Sequence, residues 1–324
     1  MLSIESAQKI ITKELEKLDI PGSPSDLYDP VRYILFSGGK RIRPSLVLLA
    51  CDLFDADYMK AVYPAMGIEV FHNFTLLHDD LMDNSGVRRN NPTVHIKWNP
   101  NVAILSGDVM SILSNQLVCN VDKQFLAPVI SLFNTTALEV CEGQMMDLRF
   151  EKEENVSIPE YLKMVGLKTS VLMAASLKMG AIIAEAAVKD CDDIYDFGYN
   201  LGMAFQLQDD LLDTYGDQEI FGKKIGNDIV TNKKTFLMIK ALELANGEKL
   251  KQLKTYISTT DSEAIEKIRI VKEIFDELNI PSITEDRINQ YFEKASAGLE
   301  AVMVNPERKK VLNDFSKALM ARKF

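Results

Sequence analysis

The chain has 324 residues, 47% hydrophobic and 26% charged, which supplies ample material for a large core and is ordinary for a globular protein. A formal net charge of −10 argues against general nucleic-acid binding. Cys51, Cys119, Cys141 and Cys191 are scattered without CxxC spacing and read as reduced, mostly buried cysteines of a cytoplasmic protein.

Helical periodicity dominates, and convincing strand alternation is absent. The N-terminal stretch MLSIESAQKIITKELEKLDI carries acids throughout and repeats apolar residues at helical spacing, so it reads as a first helix and not a signal peptide. Pro21-Gly22-Ser23-Pro24 ends it, and a short helix follows to about Phe36. Two glycines, three cations and a helix-opening proline come next, in Ser37 to Pro44. Helices are expected over Pro44–Phe54 and Tyr58–Asp83, then a polar loop over Asn84–Pro100. Further helices should cover Asn101–Asn120 and Ala127–Phe150. After a break at Glu151–Ile158, Tyr161–Val188 reads as a short helix and then a longer one. Asp192–Tyr215 is a helix, and Gly216–Lys234 a basic, glycine-containing loop. Thr235–Phe324 reads as four or so amphipathic helices with a break at Asn279-Ile280-Pro281. No Pro/Gly/Ser-rich linker interrupts the chain, so residues 1–324 are expected to form one all-α domain. No apolar run is expected to span a bilayer, so no transmembrane segment is expected.

Two of these helices end on the same acid pattern. Asp79, Asp80 and Asp83 follow an apolar run that begins near Val70; Asp209, Asp210 and Asp213 follow Leu201 to Leu207. The first and third acid of each motif are four apart and share a helical face, with the second rotated by about 100°. Three acids so close repel one another unless cations compensate them. Carboxylates without thiolates favour a hard cation, and Mg²⁺ binds through one or two carboxylates while keeping places for substrate phosphates. One such motif is commonly a solvated helix end. Two, on separate helices, can hold a metal cluster between them, with a diphosphate bridging the ions. Cations cluster nearby: Lys40, Arg41 and Arg43; Arg88 and Arg89; Lys223, Lys224, Lys233 and Lys234. Arg forks suit phosphate oxygens and Lys adds point charge. Arg41 reads as structural. Metal-bound acids on one side and bare cations on the other suggest two differently held phosphorylated groups.

With these pieces in place the sequence resembles the trans-isoprenyl diphosphate synthases of the polyprenyl synthetase family. The matching stretches are GGKRIRP (Gly38–Pro44), HDDLMD (His78–Asp83), Arg88-Arg89, PTVH (Pro92–His95), Lys168-Thr169, FQLQDDLLD (Phe205–Asp213) and GKKIGNDIVTNKKT (Gly222–Thr235), in family order. The resemblance implies an all-α, isoprenoid synthase-type helical bundle around a central cavity, usually a homodimer. It implies head-to-tail condensation of isopentenyl diphosphate with an allylic diphosphate. On this resemblance Asp79, Asp80, Asp83 and Asp209, with Asp210 and Asp213 more loosely, hold Mg²⁺ against the allylic diphosphate, as a cluster of three ions once substrate is bound, with Mn²⁺ a substitute. Arg88, Lys168, Lys223 and Lys233 contact that diphosphate. Lys40, Arg43, His72 and Arg89 hold isopentenyl diphosphate without metal, and Thr169 and Gln206 line the reacting centre.

Phe71 and Phe74, at helical spacing, would ordinarily be core; the resemblance makes them, with the small Thr75, a limit on product length. A short-chain product of C20, with C15 close behind, is implied. His78 and His95 read as structural. Several rivals are weaker. A class I terpene cyclase usually carries an Asn/Ser/Glu-type second motif and does not need the GGKRIRP cations. A metal-dependent phosphohydrolase needs more histidine ligands. A non-catalytic subunit typically loses motif acids, and none is lost here. A longer-chain polyprenyl diphosphate synthase remains the alternative on product length.

Overall fold

Ser3 opens the first helix: its side chain accepts the Ser6 N–H, and α1 (Ile4–Glu16) buries Ala7, Ile11 and Leu15 along one stripe. The computed structural model describes residues 1–216, 226–257 and 264–321. After α1 come α2 (Ser25–Phe36) and α3 (Ile42–Leu53), then a 3₁₀ turn over Tyr58–Ala61 that leads into α4 (Val62–Met82). The loop expected after α4 is more ordered than its polarity suggests. It holds an antiparallel pair of two-residue strands, β1 (Val87–Arg88) and β2 (Asn91–Pro92), and the single-turn α5 (Val94–Lys97). Thr93 closes the loop, its N–H donating to the Gly86 carbonyl at 3.1 Å and its hydroxyl to that of Ser85 at 2.7 Å. Asn99 caps α6 (Pro100–Val118), with Pro100 in the first turn.

Next come α7 (Lys123–Phe150) and α8 (Ile158–Val165), the latter opened by a Ser157/Glu160 capping box. A single π-turn, Gly166–Ser170, carries the helix onward into α9 (Val171–Ile183). α10 (Val188–Tyr215) and the short α11 (Asn227–Val230) follow. Among the described residues the C-terminal part holds five helices where about four were expected: α12 (Phe236–Leu244), α13 (Gly247–Ile257), α14 (Ala264–Glu277), α15 (Ile280–Ala301) and α16 (Pro306–Met320).

Helical stretches are also longer than expected. Because the π-turn does not break the helix, Ile158–Ile183 runs continuously, and with Lys123–Phe150 it reaches the length and hydropathy of a membrane crossing. This corrects the expectation that no apolar run is long enough. Ile158–Ile183 is a core helix, 78% of its most apolar window being buried, against 28% for Lys123–Phe150.

The chain packs as two compact units. The first comprises Met1–Thr135, Ala175–Ile194 and Val302–Leu312. In it α4 lies against α3 and α6, α1 against α3, and α2 against α6, around Leu46, Val47, Leu48 and Ile68. The second comprises Thr136–Ala174, Tyr195–Ala301 and Asn313–Phe324. Its core gathers Tyr161, Met164, Leu207, Leu211, Phe236 and Phe275. Lys267 is buried beside that core, its ammonium donating to the Val230 carbonyl at 3.1 Å and to Asn232 Oδ1 at 2.7 Å, which ties α14 to the end of α11.

Candidate active site

In the first unit α4 ends on the first acid motif. The Asp83 N–H closes on the Asp79 carbonyl at 2.8 Å, so these two acids lie one helical turn apart; Asp79 is half-buried and Asp83 exposed. Asp80 turns inward, 3% exposed, and Arg88 Nε donates to both its oxygens at 2.7 and 2.8 Å. Burial raises the Asp80 carboxyl above the usual range, and Arg88 works against that rise. Arg88, expected on a diphosphate, thus rests on a motif acid.

The second motif, on α10 in the second unit, is built the same way. Asp209 and Asp213 are half-buried, and Asp210 is buried. Asp210 accepts from the Tyr161 hydroxyl and from Gln206 Nε2. Burial, then the charge of Asp228, pushes Asp210 up to about 7, while Tyr161, Lys233 and Gln206 pull it down. Burial, then Asp210, holds the Tyr161 phenol well above its ordinary value. Asp213 accepts the Asp228 N–H at 2.9 Å.

The cations of the first unit surround a glycine turn. Gly38 and Gly39 have φ of 93° and 134°, a region that suits glycine. A Cβ on Gly39 would lie 2.9 Å from the Arg89 guanidinium. Arg89 donates to the Gly38 carbonyl. Arg89 and Asn90 form the two-residue corner between β1 and β2, with φ of 51° and 63°. Arg43 faces His72 Nε2 at 3.3 Å. Burial, then Arg43 and Arg89, hold His72 well below the usual imidazole range, so the ring is neutral. The Lys40 carbonyl accepts from Gln8 Nε2 at 2.6 Å. Arg41 is buried against Glu69 and the Leu35 carbonyl, the structural place expected for it.

In the second unit Lys168 and Thr169 sit on the π-turn, a device frequent at functional sites. Lys168 Nζ donates to Asp147 Oδ2 at 2.6 Å, and the Thr169 hydroxyl to Gln206 Oε1 at 3.2 Å. Lys168, Thr169, Gln206, Asp210 and Lys233 share one cavity of about 40 Å³ with Asp147. Gly143 of α7 lets the π-turn approach closely: a Cβ there would lie 2.4 Å from the Lys168 nitrogen. Lys223 and Lys224 lie outside the described residues.

The aromatic residues expected to limit product length form a cluster within the first unit. The Phe71 ring centre lies 5.6 Å from that of Phe74 and 5.3 Å from that of Phe133. Phe74 packs edge-on against His78 at 4.8 Å, and His78 Nε2 lies 3.2 Å from the Ile104 carbonyl. The Thr75 hydroxyl turns back to the His72 carbonyl at 2.8 Å. His95 is buried, and neither ring nitrogen has a hydrogen-bond partner among the described residues.

Sequence reasoning missed Glu69, Asn73, Asp147, Tyr161 and Asp228. For Glu69 a signal existed: one acid inside the apolar run GIEVFHNF.

The motif donors are all carboxylate oxygens, a set suited to Mg²⁺. Among the described residues no three of His, Cys, Asp or Glu converge closely enough to hold an ion by themselves.

A helical chain with two such acid motifs, cations following each in sequence, and Lys-Thr on a π-turn is equipped to hold diphosphate groups. The polyprenyl synthetase family model matches residues 24–277, and the chain belongs to that family. It is 36% identical over 300 residues to a short chain isoprenyl diphosphate synthase of Methanocaldococcus jannaschii, covering 91% of this chain and 89% of the relative. Among solved structures it is similar to a geranylgeranyl pyrophosphate synthase at 45% identity and a TM-score of 0.95, with both chains fully covered (100%). It is similar also to the geranylgeranyl pyrophosphate synthetase of Pyrococcus horikoshii Ot3, at 31% identity and 0.92, covering 99% of this chain and 97% of the other. The fold is the all-helical isoprenoid synthase fold.

Proposed function

We propose that residues 1–324 act as one catalytic domain that condenses isopentenyl diphosphate head-to-tail with an allylic diphosphate, giving an all-trans C20 prenyl diphosphate and diphosphate. The observation that carries this reading is the shared construction of the two acid motifs: each closes an apolar helical run, with its second acid buried and hydrogen-bonded, Asp80 by Arg88 and Asp210 by Tyr161 and Gln206, and its first and third acids one helical turn apart. Asp79, Asp83, Asp209 and Asp213, with Asp80 and Asp210 behind them, would hold Mg²⁺. When bound, Mg²⁺ neutralises charge on the departing diphosphate. Arg88, Lys168 and Lys233 add fixed positive charge on that group, and Lys223 is assigned there on sequence alone.

Lys40, Arg43, His72 and Arg89 bind the diphosphate of isopentenyl diphosphate. A neutral His72 beside Arg43 suits that role, since it adds a polar contact without charge. Thr169 and Gln206, bonded to each other, orient the reacting centre. The allylic C–O bond ionises, the isopentenyl double bond attacks the carbocation, and the released diphosphate takes the proton, so no side-chain base is required. Phe71 and Phe74 stop the growing chain, with Thr75 leaving room above them.

The chain acts as a homodimer on this reading, through α6, where Ile104, Leu105 and Ile112 are 44%, 57% and 61% exposed. A cytoplasmic setting accords with four free cysteines. The test is incubation with labelled isopentenyl diphosphate and each allylic primer in Mg²⁺, with chromatographic sizing of products. A C20 product that disappears in excess EDTA is expected. Absence of any prenyl product, or full turnover in EDTA, would refute the reading.

A further inference from the structure

Glu69 is a carboxylate buried to 2% exposure on α4, beneath the cations that face isopentenyl diphosphate in the proposed reading. A buried charge of this kind must be paired and its remaining lone pairs satisfied. Arg41 supplies the opposite charge, and its other arm is anchored on the Leu35 carbonyl at the end of α2. The Glu69 carboxylate also accepts Asn73 Nδ2 at 2.9 Å, and the Glu69 main-chain carbonyl accepts the same amide at 2.8 Å. With both amide protons directed at Glu69, the Asn73 oxygen has one direction left. It faces Arg89 Nη1 at 3.4 Å. Arg89 in turn donates to the Gly38 carbonyl, at a point where Gly39 leaves no room for a side chain. Two residues on, the Lys40 carbonyl is held from the other side by Gln8.

We infer that Glu69, Asn73 and Gln8 are positioning residues for isopentenyl diphosphate. Glu69 and Asn73 orient Arg89, and Arg89 and Gln8 together pin the Gly38–Lys40 turn from both ends. The inference rests on the proposed reading of Lys40 and Arg89 as diphosphate contacts. Arg41 and the Asn73 amide satisfy the buried carboxylate; the further contacts, from the Asn73 oxygen to Arg89 and from Arg89 to the Gly38 carbonyl, go beyond what that burial requires.

The test measures KM for both substrates, kcat and thermal unfolding for the full chain and for Asn73→Leu, Gln8→Ala, Arg89→Ala and Asn73→Leu/Arg89→Ala. Asn73→Leu should raise KM for isopentenyl diphosphate about tenfold, with KM for the allylic primer and kcat within about twofold. Gln8→Ala, at a half-buried position outside the core, should raise the same KM about threefold. In the double variant Asn73→Leu should add little to Arg89→Ala, because both act through one guanidinium. A raised KM in Arg89→Ala with an unchanged KM in Asn73→Leu overturns the inference alone. An unchanged KM in Arg89→Ala overturns the assignment of the diphosphate site, and the inference with it. Should Asn73→Leu not fold, Gln8→Ala decides, and an unchanged KM there overturns the inference.

Discussion

Gly143→Ala tests whether the position of the π-turn matters to catalysis. The added methyl would sit 2.4 Å from the Lys168 nitrogen and 2.8 Å from both the Leu167 carbonyl carbon and Lys168 Cα. These are backbone atoms, so no flexible side chain can swing aside. Reaching ordinary contact near 3.4 Å requires α7 and the π-turn to separate by about 1 Å. The separation carries Lys168 away from Asp147 and Thr169 away from Gln206. A misplacement of about 1 Å at a reacting centre costs on the order of 100-fold in rate, which is about 2.7 kcal/mol of transition-state stabilisation. Overpacking should also lower stability by about 1–3 kcal/mol. Steady-state kinetics and thermal unfolding on the same preparations separate the two effects. Gly180→Ala is the control: its methyl would meet the Val47 carbonyl at 2.1 Å, on α3 one turn beyond Arg43 and away from the π-turn, so any effect on the site should fall on KM for isopentenyl diphosphate. It should lower the melting temperature while leaving kcat within about twofold. A Gly143→Ala enzyme that folds and keeps wild-type kcat/KM would refute the reasoning.

Lys40→Ala or Arg43→Ala should chiefly raise KM for isopentenyl diphosphate, because those contacts persist from ground state to transition state; a rise in KM for the allylic substrate alone would invert the two sites. Phe74→Ala should lengthen the main product by at least one isoprene unit, and Phe71→Ala combined with it should lengthen it further. Thr75→Phe should shift product toward C15 or C10 by placing a ring one turn before Asp79; product chromatography reads all three, and an unchanged distribution would place the floor elsewhere. Burial pushes the Cys51 thiol up to about 12, with Asp57 and Asp52 adding to the shift, so at pH 8 it stays protonated. Peptide mapping after iodoacetamide treatment should find Cys51 unmodified in the native enzyme and alkylated after guanidinium unfolding; native alkylation would contradict its placement.

The helices were legible because apolar residues recur at helical spacing, and the acid motifs because charge at the end of an apolar run is conspicuous. The different fates of neighbouring acids were not. Asp79 and Asp80 look alike in sequence, yet the second is taken by Arg88, eight residues on in the first strand of a hairpin. That hairpin escaped notice because its corner is Arg-Asn, where the usual signal is Asn-Gly or Asp-Gly. The π-turn was invisible for another reason. VLMAASLKMG, which follows it, is apolar on nearly every side, Ser176 and Lys178 apart, so an extra residue displaces no clear stripe. Glu69 was detectable as an oddity, but its partner Arg41 lies 28 residues away, and Asp147 lies 21 residues from Lys168. Pairings at that range come from packing and leave no local trace.

The corner of the hairpin between β1 and β2 sets function against conformational preference. Both of its residues adopt left-handed backbone angles, and one of them is Arg89, for which that region costs about 1–2 kcal/mol relative to glycine. Any search that ranks substitutions by stability will therefore favour Arg89→Gly at this position, and will do so for sound reasons. The arginine persists as a debt carried by the rest of the fold. A thermostabilised version of this enzyme should be sought elsewhere in the chain, with this corner held fixed.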